Sequence, residues 1–236
     1  MNTESKNIIL KGMATILLFT AVFIAAGQTA VEVSKITETN EEQFCVVLDA
    51  GHGGDDPGKV GINGVLEKEL NLQMAEKLKF FLETSDVKVI MTRTTDTGLY
   101  DENADSKKVQ DMKNRVRIME EARPDLIVSI HQNSYSAENV RGAQVFYYTD
   151  SVQGQKLADV IQARLVNHLD PSNHRIAKEN DSYYLLKKTS RPIVIVECGF
   201  LSNPEEADLL CDPLYQERAA WQIHMGIMQY LNSGNS

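Results

Sequence analysis

Four side chains that can bind a metal ion or move a proton stand where apolar, strand-like segments end or where a helix begins. They are His52 after FCVVLDAG, Glu67 at a predicted helix start, His131 after DLIVSI and Glu197 after RPIVIV. Parallel strands that alternate with helices bring their carboxyl ends to one edge of a sheet, and open α/β proteins build their sites there. The placement therefore predicts that residues far apart in sequence meet at one edge.

The residue types at this edge suit a single catalytic zinc ion. Such an ion takes three protein ligands and keeps a fourth position for water, and His52, Glu67 and His131 can supply a His₂Glu set. The glycines of AGHGG beside His52 let the backbone fold closely around an ion. Spacing alone leaves alternatives open, because either histidine could be an ordinary core or surface residue and Glu69 competes with Glu67 for the ligand position.

Glu197 differs from the other carboxylates because it ends the apolar run from Ile193 to Val196. Loss of water around such a group raises its pKa, which suits it to proton transfer near neutral pH. The alternative is a structural carboxylate bound by backbone amides or by Arg191. The remaining histidines, for which we predict places on the surface or on a helix face, are His168, His174 and His224.

Apolar runs and helical patterns alternate from Phe44 onward, which predicts an α/β fold. We expect a mostly parallel central sheet with helices on both faces and the zinc site at the C-terminal edge of its strands. The predicted strands are FCVVLD, VKVIMT, DLIVSI, AQVFYYT and RPIVIVE, with a further short strand around Tyr183 to Leu186. The predicted helices begin at Glu67, span about 107–122, 153–168 and 213–231, and include one capped by Asn203 before Pro204.

The amino terminus predicts export. Lys6 and Lys11 accompany an apolar run from Met13 to Ala26 that ends in small and polar residues. This order is typical of a secretory signal, and the run is short for a membrane-spanning helix. We therefore predict a signal peptide or signal anchor over 1–30, a polar linker over 31–43 and a catalytic domain over 44–233. The expected location is the cell wall or the extracytoplasmic space near the membrane, including the space between the membranes of a forespore.

The charge and the cysteine content limit which partners and which disulfide bonds we expect. The chain has 236 residues and a formal charge of −9, so it lacks the basic stripe with which proteins neutralise nucleic-acid phosphates. We expect no nucleic-acid partner. Three cysteines, Cys45, Cys198 and Cys211, do not form the even, regularly spaced set of a disulfide framework.

Four sequence blocks together resemble a known enzyme family. VVLDAGHGG, GVLEKELNL, SIHQN and VIVECGFLSNPEE are similar to the signature blocks of the zinc-dependent family 3 N-acetylmuramoyl-L-alanine amidases. The resemblance implies that His52, Glu67 and His131 bind zinc, which selects Glu67 over Glu69, and that Glu197 is catalytic. It also implies a peptidoglycan substrate. The departures from the family pattern, none of which removes a metal ligand, are Ala50, Gln132 and Ser134.

The compact layout resembles the small CwlD-type, germination-specific branch of that family. The branch implies removal of stem peptides in the spore cortex so that muramic lactam can form, functional coupling to a muramic acid deacetylase, and a separate activating protein or lipoprotein. Three alternatives stay open. They are an amidase of general wall turnover, another zinc peptidoglycan hydrolase such as a carboxypeptidase or a deacetylase, and a noncatalytic wall-binding module.

Overall fold

The computed structural model describes residues 11, 13, 16–24 and 43–234. Its backbone divides into two units, 1–42 and 43–236. In the first unit residues 16–24 are helical, and their large apolar side chains, such as Phe19 and Phe23, are exposed. Within the described parts of the chain, no helix combines the length and apolarity needed to cross a membrane. The predicted linker lies outside the described residues except for Gln43, and the leader and the domain bounds stay predictions.

The second unit is built on one six-stranded sheet. Its strands are β1 (Cys45–Ala50), β2 (Lys88–Met91), β3 (Leu126–Asn133), β4 (Gln144–Tyr147), β5 (Lys178–Glu179) and β6 (Ile193–Phe200). They are ordered β2-β1-β3-β6-β4-β5. The pairs among β2, β1, β3 and β6 are parallel, whereas β4 runs antiparallel to β6. The sheet is therefore mostly parallel, as the alternating pattern predicted.

Helices cover both faces of the sheet, which confirms the predicted architecture. They are α1 (Glu67–Thr84), α2 (Lys107–Ala122), α3 (Val152–Arg164), α4 (Tyr184–Lys188), α5 (Pro204–Cys211) and α6 (Pro213–Asn232), and a π-helical turn (Leu165–Leu169) extends α3. Asn203 caps α5 by accepting a hydrogen bond from the backbone N–H of Glu206, and Pro204 opens the helix, as predicted.

Alternation along the strands divides the core between the two faces. Val46 and Leu48 of β1 point to the larger core, which contains the apolar stripe of α1 formed by Leu70, Met74 and Leu78. Each of these side chains is essentially fully buried, so each stabilises the packing by roughly 1.5–3 kcal/mol. The side chains that point to the smaller core, where α2 and α4 pack, include Val47, Ile127, Ile193 and Ile195.

The prediction of a strand around Tyr183 to Leu186 is wrong, because this segment forms the short helix α4. Leu185 and Leu186 are both buried in the smaller core, whereas a strand would point consecutive side chains to opposite faces. The side-chain oxygen of Asn180 accepts hydrogen bonds from the backbone N–H groups of Ser182 and Tyr183, which turns the chain immediately before the helix. A local turn and shared burial thus override the strand propensity of the tyrosines.

The register of the parallel strands determines which residues reach the same edge. Ala50 at the end of β1 pairs with Ile130 of β3, and His131, the next residue of β3, pairs with Glu197 of β6. Because all three strands run in the same direction, His52, His131 and Glu197 emerge at one level on one edge. The helix start at Glu67 lies beside this edge, since its backbone N–H donates to the carbonyl of Lys59 in the loop after β1.

Candidate metal and catalytic site

The structure brings His52, Glu67 and His131 together at the C-terminal edge of the sheet. One ligand atom from each lies within 4.8 Å of the others. His52 Nε2 is 3.2 Å from Glu67 Oε1, and His131 Nδ1 is 3.0 Å from the same oxygen. Two imidazole nitrogens and one carboxylate form the donor set of a three-ligand zinc site that keeps a fourth position open, so the residues fit such an ion. Glu69, the alternative to Glu67, is exposed.

The backbone of the first block is shaped around this cluster. His52 has φ 61°, a left-handed conformation that is rare for a residue with a side chain. Gly51 precedes it, and a Cβ atom at Gly51 would collide with the imidazole of His131. The Asp56 carboxylate lies 2.9 Å from His52 Nδ1, which leaves Nε2 facing Glu67. A carboxylate on the second nitrogen of a histidine fixes the tautomer and the orientation of its ring.

Glu67 is held as an anion in the middle of the cluster. It is only 2% exposed, and the backbone N–H groups of Lys59 and Gln132 donate to its two oxygens at 2.7 and 3.1 Å. Burial opposes the charged form, but hydrogen bonds from His131 and His52 outweigh burial and hold the pKa of Glu67 well below its usual range. The carboxylate is therefore available as an oxygen ligand at neutral pH.

Glu197 stands next to this cluster in a different electrostatic environment. It is 7% exposed and pairs in register with His131, and its Oε2 atom is buried without a hydrogen-bond partner among the described residues. Burial, with a smaller contribution from the nearby Glu67 charge, raises the pKa of Glu197 despite the opposing effect of His131. The carboxylate is not paired with Arg191. A buried acid with an open oxygen is suited to accept and return a proton.

Two groups that the sequence pattern did not predict contact these residues, Asp56 and Tyr183. Asp56 was not identified, although it follows His52 by four positions in GHGGDD. Tyr183 was placed on a strand, but its hydroxyl donates to Glu197 Oε1 at 3.4 Å. The clue for Asp56 is a carboxylate close in sequence to a candidate histidine ligand. Nothing in the local pattern around Tyr183 indicates its contact, because the contact depends on the turn at Asn180.

Two buried arginines, Arg93 and Arg115, bind the backbone carbonyls of residues 50–52 in the first sequence block, VVLDAGHGG. The guanidinium of Arg115 on α2 donates to the carbonyls of Ala50 and His52 at 2.9 and 2.6 Å, and Arg93 donates to those of Ala50 and Gly51 at 2.8 and 3.0 Å. Arg115 also forms ion pairs with the buried Asp49 and with Asp111. These contacts fix the strained backbone at His52 in place.

The ion pair between Arg115 and Asp49 is an important source of stability. Burial alone would raise the pKa of Asp49, but Arg115 and the hydroxyls of Ser129 and Thr92 lower it to about 2. Arg115→Ala would leave this carboxylate buried without its cation, so we expect the free energy of unfolding to fall by about 3–5 kcal/mol in urea titrations. Arg117→Ala is the control, since its pair with Glu121 on the same helix is exposed and should matter little. Equal midpoints for the two variants would contradict the expectation.

A cavity of about 630 Å³ opens over the cluster. Its floor includes His52, His131 and Glu197, and α2 and the residues around Tyr183 form its walls. The volume lies within the range of small-molecule binding sites. Asn133 and the buried Arg115 also line it.

His224 and the three cysteines lie outside the site. His224 is on a face of α6, as predicted, and this face is buried: the residue is 4% exposed, its Nε2 lies 2.9 Å from the hydroxyl of Ser85, and burial lowers its pKa. The three cysteines are free: Cys198 is buried in the larger core, Cys45 is partly buried and Cys211 is exposed.

Comparison with known proteins agrees with this geometry. Residues 46–229 match the Amidase_3 family model, described as N-acetylmuramoyl-L-alanine amidase. The germination-specific N-acetylmuramoyl-L-alanine amidase of Bacillus subtilis strain 168 is 37% identical over 188 residues, which cover 78% of each protein. The LytC amidase of the same organism is 30% identical, and the match spans 78% of this chain and 35% of LytC.

A solved structure shows the same fold. The CwlD amidase from Clostridioides difficile, in complex with the GerS lipoprotein, has a TM-score of 0.79 and 40% identity, covering 81% of this chain and all of that chain. The matched family region and the shared fold show that the chain is an enzyme that acts on peptidoglycan. The chain belongs to the N-acetylmuramoyl-L-alanine amidase family, Amidase_3.

Proposed function

We propose that the protein is a zinc-dependent amidase that hydrolyses the bond between the lactyl group of N-acetylmuramic acid and L-alanine in the spore cortex. One observation carries the chemistry. A His₂Glu donor set with all ligand atoms within 4.8 Å lies beside a buried glutamate whose Oε2 has no described partner. His52, Glu67 and His131 hold one zinc ion, and Glu197 is the catalytic acid and base. Bound zinc supplies Lewis acidity, which activates water and stabilises negative charge on a substrate oxygen.

The chain's own residues move the proton. Glu197 takes a proton from the attacking water, for which its raised pKa and its open oxygen are suited. The water oxygen forms a bond with the amide carbon, and the carbon–nitrogen bond then breaks. Glu197 returns the proton to the departing nitrogen, so that the products are a lactyl carboxylic acid and a free L-alanine amine. Asp56 and Arg115 keep His52 oriented during these steps.

Product analysis tests this activity. We expect the full chain with one equivalent of zinc to release peptides that begin with L-alanine and to leave the glycan strands uncut and acetylated. A zinc carboxypeptidase would release D-alanine and a deacetylase would release acetate, so the digest distinguishes the three hydrolases. A noncatalytic wall-binding module would bind the polymer with no zinc-dependent release. Release of D-alanine or acetate in place of stem peptides would refute the proposal. Release of stem peptides that is unaffected by a chelator would also refute it.

The spore role rests on two similarities. The germination-specific relative covers most of this chain, and the similar CwlD structure contains a lipoprotein partner. An amidase that removes a stem peptide frees the lactyl carboxylate, which can condense with the amine at C2 only after that amine is deacetylated. We therefore propose functional coupling to a muramic acid deacetylase, and a separate lipoprotein as the activating partner.

The proposed location follows from the same role. Cortex peptidoglycan lies outside the cytoplasm, and the basic and apolar leader at residues 1–30 is suited to export. We propose that the enzyme acts at the cell wall or near the membrane, in the space between the forespore membranes.

A further inference from the structure

The carboxylate of Glu197 has a single side-chain hydrogen-bond donor within residues 43–234. This donor is the hydroxyl of Tyr183, which lies 3.4 Å from Oε1, while Oε2 has no partner among the described residues. Hydrogen bonds of catalytic groups are often long in a free enzyme and shorten when substrate binds. The two oxygens of Glu197 are therefore unequal before any substrate arrives.

The position of Tyr183 is set by contacts outside the reacting centre. Its ring packs edge-on against Phe146, with ring centroids 5.6 Å apart, and its backbone N–H donates to the side chain of Asn180 at 2.8 Å. The hydroxyl faces the cavity that contains Glu197. An aromatic side chain with two rotatable bonds, fixed by packing and by a turn, is a precise carrier for a hydroxyl.

We propose that Tyr183 is a positioning residue that holds Oε1 of Glu197 and thereby leaves Oε2 as the oxygen that exchanges the proton. The inference rests on the proposed role of Glu197. The proton moves from water to Oε2 and then to the departing nitrogen, and Tyr183 keeps its own proton throughout. Burial and the charge of Glu197 raise the pKa of Tyr183 to about 12, so the hydroxyl stays a donor over the working pH range.

Tyr183→Phe removes the hydroxyl and keeps the ring. In the zinc-loaded full chain we expect kcat to fall about 10- to 100-fold, with KM changed by less than about twofold, because the ground-state contacts of the substrate are kept. Zinc affinity, measured by competition with a chelator, should not change. Tyr148→Phe is the matched control, since this tyrosine packs on the same apolar core but does not line the cavity.

A double variant separates positioning from direct contact with substrate. If Tyr183 acts through Glu197, Tyr183→Phe should lower the residual rate of Glu197→Gln by less than about twofold. If Tyr183→Phe lowers the rate of the Glu197→Gln variant as much as it lowers the rate of wild type, the hydroxyl acts on the substrate itself and the proposal is wrong. Wild-type turnover in Tyr183→Phe alone would be equally decisive against it.

Crystal structures of the zinc-loaded wild type and Tyr183→Phe give a readout that needs no substrate. We expect Oε1 of Glu197 to leave its place in the variant, and an unmoved carboxylate would overturn the inference. If the wild-type protein binds zinc but releases no stem peptide, the proposed activity is wrong, but the role of Tyr183 is not affected. The position of the Glu197 carboxylate in the two crystal structures would still test that role.

Discussion

Glu197→Gln is expected to lower kcat for stem-peptide release by about 10²–10⁴-fold, the usual contribution of a positioned acid–base group. Glutamine has nearly the same shape and can still accept the hydrogen bond from Tyr183, but its amide cannot take a proton from water. Zinc affinity should stay within about threefold of wild type, because the substitution leaves the three proposed ligands, His52, Glu67 and His131, in place. The rate is measured by chromatography of peptides released at saturating zinc.

Glu69→Gln is the matched control for this prediction. It makes the same substitution on an exposed turn of α1, two residues from Glu67, and should leave turnover unchanged. In spores that carry only Glu197→Gln, the cortex should lack muramic lactam and keep its stem peptides. Retained hydrolysis in the purified variant would contradict the catalytic role, whereas normal lactam content together with an inactive enzyme would contradict only the cortex role.

His131→Ala is expected to weaken zinc binding by more than about 100-fold, the upper end of what changes in outer-shell contacts cost. The substitution removes one of the three proposed ligands and leaves Glu67 with one imidazole neighbour in place of two. Peptide release should be absent at one equivalent of zinc. Competition with a chromogenic chelator measures the affinity, and far-UV circular dichroism verifies that the fold is kept.

His168→Ala is the control for the loss of an imidazole, because this residue is exposed in the π-helical turn after α3. It should bind zinc as wild type does. Wild-type affinity in His131→Ala would remove this residue from the metal site. Wild-type affinity together with lost activity would instead assign His131 a role in catalysis alone.

Strong apolar patterns made most of the fold predictable from sequence. The run from Ile193 to Val196 has both faces covered in the structure, and α2 has the bounds that its periodicity predicted. The edge that gathers His52, His131 and Glu197 followed from parallel pairing, which needs no knowledge of side-chain detail. The family resemblance selected Glu67 over Glu69, and the structure places Glu67 inside the cluster.

Contacts that depend on loop conformation could not be predicted from the sequence pattern. The helix at Tyr184–Lys188 depends on a turn at Asn180 and on the space left in the smaller core, neither of which has a periodic signal. The contact of Tyr183 with Glu197 was missed for the same reason. The network of Arg115 has no local sequence signal either, because it joins α2 to the end of β1, far apart in sequence.

The attachment of the first block to α2 has a consequence for how this enzyme can diverge. Helix α2 supplies both the guanidinium that binds the carbonyl of His52 and one wall of the cavity, through Met112 and its neighbours. A displacement of the whole helix would move both the backbone that carries His52 and this wall of the cavity. Substrate preference can therefore change with less damage through single side-chain replacements on this wall, or through a different turn before α4. A shift of α2 itself would disturb His52 as well.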